Sequence, residues 1–171
     1  MKILKSLSAV AILAFLAGCS AYRWTSGVPE DRRSVFVATF RNDSEVTELG
    51  GVVTRQILLE FQKEGTFKVS TPDDCALEIQ GVISNNGLSR VVSSVRDYSN
   101  RRKERRFTAV ALVSFIDKKS GKVLVNDRKY VGRTTFYGDR DVLTLQRDAS
   151  GRLAEDIARQ VVDDALSLKW E

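Results

Sequence analysis

The chain has 171 residues, no histidine, and 27 basic against 22 acidic side chains, for a formal charge of +5. Without histidine the usual general base and the commonest metal ligand are missing, and nucleophile activation of the Ser-His-Asp or Cys-His kind is excluded. A hydrophobic fraction of 43% and a charged fraction of 29% are ordinary for a globular domain, and so small a basic surplus does not by itself describe a nucleic-acid binder.

The first stretch is a leader. Lys2 and Lys5 precede an apolar run from Leu7 to Ala17, the layout of a secretory signal. The run is too short for a membrane span of about 20 residues. It ends in Leu16-Ala17-Gly18-Cys19, which resembles the lipobox of bacterial lipoproteins. The resemblance implies cleavage before Cys19, a diacylglycerol on its sulfur and an acyl group on its amine. Several chains, at about 0.8 kcal/mol per buried CH₂, make a permanent membrane anchor. An ordinary signal with an incidental cysteine is the alternative. Ser20 stands where aspartate would mark inner-membrane retention in such lipoproteins, so the resemblance implies an outer-membrane location facing the periplasm. Export also removes nucleic acid from the expected partners.

Residues 1–18 are thus expected to be a signal peptide and residues 19–33 a lipidated tether, with Gly27 and Pro29 as breakers. Residues 34–171 form a single domain, long enough to enclose a core. With Cys19 taken by lipid, Cys75 has no disulfide partner and is expected as a small buried residue at a strand start.

Ser34 to Phe40 reads as a first strand, apolar enough to predict cover on both faces. A helix is predicted from Val46 to Lys63, because Leu49, Val53, Ile57 and Phe61 recur every four residues with Val52 and Leu59 beside them. Gly50 and Gly51 weaken its first turn and Gly65 ends it. Phe67 to Ser70 is a short extension, and Pro72-Asp73-Asp74 turns the chain. Leu77 and Ile79 alternate with Glu78 and Gln80 in a strand that resumes after Gly81. From Asn85 to Arg106 come a turn signal, a polar strand-like piece and a charge cluster. Phe107–Ile116 and Val123–Thr135 form a hairpin around Asp117–Gly121. Ala154, Ile157, Ala158, Val161, Ala165 and Leu168 make one apolar stripe of a closing helix, which begins somewhere between Val142 and Gly151. The close pairs Asp73-Asp74 and Asp163-Asp164 read as a turn and a solvated helix face. The expected fold class is α+β: a two-layer sandwich with two amphipathic helices on one face of a mostly antiparallel four-stranded sheet, in the order β-α-β-β-β-α.

No phosphate loop, dinucleotide fingerprint or metal-ligand cluster is present. No cofactor is therefore expected, and no enzyme.

Behind its lipobox, this order resembles the lipopolysaccharide-assembly lipoproteins of the LptE type. Arg33-Ser34-Val35-Phe36-Val37 through Phe40-Arg41-Asn42-Asp43-Ser44 is similar to that family's first strand and its Phe-x-Asn-x-Ser/Thr exit. Val53-Thr54, Glu60-Phe61 and Gly65-Thr66-Phe67 are similar to its first helix, and Leu153–Ala158 with Val161 and Trp170 to its closing helix. The resemblance implies a non-catalytic partner and plug of the β-barrel LptD that helps deliver lipopolysaccharide to the outer leaflet. An accessory lipoprotein of an ABC-type lipid-transport system is the nearest rival. A lipoprotein enzyme acting on envelope polymers is a more distant one.

Arg101, Arg102, Lys103, Arg105 and Arg106 put five cations in six residues. Arginine matches phosphates and carboxylates by bidentate bonds, so lipopolysaccharide is one expected ligand. The cluster is also readable as a solvated run guarding a sheet edge, or as a contact to acidic groups of the barrel. Lys118, Lys119 and Lys122 form a weaker basic group, read as a solubility feature.

Overall fold

The computed structural model describes residues 27–44, 46–84, 91–92, 104–137 and 142–170. A 3-10 turn at Glu30–Arg32 leads into β1 (Ser34–Val37) and β2 (Arg41–Asn42). Helix α1 (Leu49–Glu64), β3 (Lys68–Val69), β4 (Leu77–Ser84) and β5 (Val91–Val92) follow. The hairpin β6 (Glu104–Asp117) and β7 (Lys122–Tyr137) precedes the closing helix α2 (Val142–Leu166). The α+β class and the two-helix layer agree with the sequence reading.

The sheet does not have four mostly antiparallel strands. Among the described residues it has seven strand segments and is mixed. β1 pairs in parallel with both β3 and β4, and β2 pairs in parallel with β4. The antiparallel part is β4 on β6, β5 on β6 and β6 on β7. The reason is α1, which carries the chain back across the layer, so that the strands on either side of it run the same way. β7 accompanies β6 along its whole length, so β4 and β5 share the other flank of that central strand.

Cover on both faces of β1 is also corrected. Val35 and Val37 are buried, but Ser34 and Phe36 are only half-buried, because both helices lie on one face. The same alternation sends Phe107, Ala109, Ala111, Val113 and Phe115 of β6 into the core. They meet Leu49, Val53, Ile57 and Phe61 of α1 and Leu153, Ile157 and Val161 of α2. Leu59 of α1, placed near the stripe by sequence, is 49% exposed.

Close approaches explain two glycines. A Cβ at Gly81 would sit 2.3 Å from the Phe40 ring, and one at Gly132 would sit 2.6 Å from the Leu153 carbonyl oxygen. Gly81 thus admits Phe40 to the core, and Gly132 lets α2 settle directly on β7. Phe40 also lies between β1 and β2, the two strands of this stretch that pair with β4. Its N–H donates to Thr54 Oγ1 at 2.9 Å, while the Thr54 hydroxyl donates to the Gly50 carbonyl at 2.9 Å. Gly65, in the left-handed region at φ +83°, ends α1 and donates to the Phe61 carbonyl. Asn42 shapes the exit loop, donating to the carbonyls of Val46 and Thr47 and accepting from the Ser44 backbone and hydroxyl.

Candidate functional site

The two ends of β6 carry different chemistry. At about 3.3 Å per residue they lie roughly 40 Å apart. At one end, Arg105 pairs in register with Val92 and Phe136, and Arg106 with Val91 and Thr135. Both arginines therefore belong to a central strand with neighbours on each side. Among the described residues β6 thus has a strand on each side at these two positions, so neither lies on a sheet edge. Arg101, Arg102, Lys103 and Cys19 lie outside the described residues.

At the other end, the hairpin turn is clamped to the start of the domain. Arg32 pairs with Asp117, whose side chain is 3% exposed. Lys119 pairs with Asp31 at 2.7 Å. Arg32 also stands over the Trp170 ring, 5.8 Å from its centroid, in a cation–π contact. Val28 is buried, and its carbonyl accepts from Arg33 Nε at 3.1 Å. Residues 28–33, read from sequence as tether, thus pack against the domain. Burial opposes ionisation of Asp117, yet hydrogen bonds from Ser120 and the Lys119 N–H, together with Arg32, hold its pKa below the usual carboxylate range. Lys118 pairs with Glu78 at 3.0 Å, so this basic group is tied into the domain.

A second polar device joins α2 to β7. Asp156 Oδ2 accepts from the Arg133 backbone N–H at 3.1 Å, and Gln160 Nε2 donates to the Val131 carbonyl at 3.2 Å. Asp164 accepts from the Tyr130 hydroxyl at 2.6 Å and from Arg128 at 2.8 Å. Burial, then the Asp164 carboxylate, raises the Tyr130 pKa. Burial works against the charge on Asp164, but its two donors keep its pKa low. Asp164 is therefore engaged with β7, contrary to the reading of Asp163-Asp164 as a solvated face; Asp163 alone is exposed. The spacing 156, 160, 164 was open to sequence reading as a helix face, but nothing in sequence pointed to β7 as its partner.

The sheet face away from the helices bears a shallow groove of about 270 Å³ lined by Thr39, Arg41, Gln80, Leu112, Ser114 and Asp127. Asp43 holds Arg41 there by two bonds of 3.0 and 3.1 Å. The carboxylates of Asp31, Glu78, Asp117 and Asp164 have lowered pKa values, the opposite of the shift a general acid needs. Cys75 is buried, which pushes its thiol up and away from the reactive thiolate. Among the described residues no acidic or cysteine cluster could hold a metal, and no helix is long and apolar enough to cross a membrane.

No curated protein matches the chain in sequence. Solved structures share its fold at low identity. A minor lipoprotein from Acinetobacter baumannii is 9% identical with a TM-score of 0.55, covering 80% of this chain and 94% of that one. A protein from Xanthomonas campestris is 8% identical with a TM-score of 0.54, covering 82% and 88%. A Caulobacter crescentus CB15 protein described as a lipoprotein is 14% identical with a TM-score of 0.53, covering 80% and 91%. The sequence model of the LptE family, described as lipopolysaccharide-assembly, matches residues 32–165. That span runs from the Arg32 clamp almost to the end of α2 and takes in the whole sheet, and the chain belongs to the LptE family of lipopolysaccharide-assembly lipoproteins.

Proposed function

We propose that this protein is a non-catalytic helper of lipopolysaccharide transport, held in the outer membrane by lipid on Cys19 and facing the periplasm. It acts as partner and plug of an LptD-type β-barrel. The observation that carries this reading is the family match over residues 32–165. Behind it stand the Leu16-Ala17-Gly18-Cys19 box and a domain in which Asp31, Glu78, Asp117 and Asp164 are each engaged in an ion pair. The basic run ends in Arg105 and Arg106, whose backbone belongs to β6, and its arginines have the chemistry to meet lipopolysaccharide phosphates.

The test is affinity purification of the tagged full-length protein from native envelopes in mild detergent. A large β-barrel of the LptD type should come down with it in constant ratio, and depletion of the protein should reduce lipopolysaccharide at the cell surface. Recovery of an ABC-type lipid-transport complex in place of a barrel would overturn the reading.

A further inference from the structure

Among the described residues β7 is the longest strand, and β6 is its one partner. An uncovered strand edge of this kind is a template for pairing with another chain. At Val131 and Arg133 the edge is not bare, because the Val131 carbonyl is taken by Gln160 and the Arg133 N–H by Asp156. In an antiparallel ladder, residues two apart point their backbone groups the same way. These are thus the groups an added strand would use.

The match between helix and strand has a simple metric basis. Four residues of helix advance about 6 Å and two residues of strand about 6.6 Å, so successive positions 156 and 160 meet successive outward positions 133 and 131. Gly132 lies between them, and its missing side chain is what brings the α2 backbone near enough for two short side chains to reach the edge. Gln160 Nε2 is itself steadied by Asp156 Oδ1 at 3.2 Å, so the two form one unit.

We propose that Asp156 and Gln160 are an edge guard: they occupy the strand-pairing positions of β7 and exclude an extended strand of another polypeptide. The device holds whatever the barrel partner is, since it rests on contacts within the domain. Asp164, with Tyr130 and Arg128, keeps α2 docked when the guard is removed.

The test uses the full chain in detergent, with Asp156→Ala/Gln160→Ala against wild type and Asp163→Ala as the control on the exposed side of the same helix. Hydrogen exchange at the Arg133 amide should speed up by about tenfold or more in the double variant. A fluorescent peptide copying residues 104–113, the native pairing sequence for β7, should bind the double variant and neither of the others. Unchanged exchange at Arg133, or equal peptide binding by all three, overturns the proposal. If the double variant melts too low for study, Gln160→Ala alone opens the Val131 carbonyl and must still gain peptide binding for the guard to stand.

Discussion

Arg32 and Asp117, 85 residues apart in sequence, are joined in an ion pair that fastens the start of the domain to the β6–β7 turn. Both sit mostly out of water, with side-chain exposures of 17% and 3%. Asp117 also accepts from the Ser120 hydroxyl at 2.7 Å and the Lys119 backbone at 3.0 Å. Removing one partner of such a pair leaves the other charge poorly solvated, at a cost of about 3 kcal/mol. Arg32→Ala should lower the melting temperature of the domain by several degrees, whereas Arg159→Ala, which breaks an exposed i,i+4 pair with Glu155, should change it little.

Acid should act on the same clamp. Asp117 and Asp164 have folded pKa values below the ordinary carboxylate range. Their stabilising contribution is complete above the unfolded value of about 3.9 and fades as pH falls through the lower folded values. Chemical denaturation should therefore show stability roughly level from pH 7 to 5 and falling below about pH 4. Asp117→Asn should be less stable at pH 7 and should lose less between pH 4 and 2.

Elements were legible in sequence wherever one buried stripe dictates them. Leu49, Val53, Ile57 and Phe61 are all fully buried, and a four-residue recurrence of apolar side chains is what a helix with one covered face requires. The direction of β1 against β4 was not legible, because alternation within a strand says which face is wet and nothing about the neighbour. The site was less legible than the fold. Asp31 and Arg32 lie far from Asp117 and Trp170 in the chain, and only the folded domain brings them together. Arg105 and Arg106 are conspicuous as charge in the sequence, but their place on a central strand follows from pairing alone.

Glycines that look alike in sequence should part company on mutation. Gly51 lies in α1 with nothing within 4 Å of an added Cβ. Gly51→Ala should stabilise by about 0.4–1 kcal/mol through the unfolded chain. At Gly132 the new methyl would meet the Leu153 carbonyl and the Ile157 side chain, and overpacking of this kind costs about 1–3 kcal/mol. Thermal melts of the two variants should move in opposite directions.

Cys19 is expected to be the first residue of the mature protein. Mass spectrometry of protein extracted from membranes should find an N-terminal peptide beginning at Cys19 with added acyl mass. Cys19→Ser should leave the leader uncleaved and remove the acyl mass. Retention of the leader in the wild-type protein, or cleavage elsewhere without lipid, contradicts the lipobox reading.

The arginine run is open to a decision between three roles. If Arg101, Arg102, Lys103, Arg105 and Arg106 meet lipopolysaccharide phosphates, Arg102→Glu/Arg105→Glu should weaken lipopolysaccharide binding strongly. The remaining affinity should fall further with salt, since such attraction is screened over about 8 Å at physiological ionic strength. If the run contacts acidic groups of the barrel, the same variant keeps lipopolysaccharide and loses co-purification with the barrel. If it is only a solvated run, neither measurement changes. Circular dichroism gives the control. Arg105 contributes to β6 through its backbone pairs with Val92 and Phe136, which glutamate can also make, so the spectrum of the double variant should match wild type. The outcome expected here is a strong loss of lipopolysaccharide binding with an intact spectrum, because arginine meets phosphate oxygens by bidentate, charge-assisted bonds and glutamate in its place repels them.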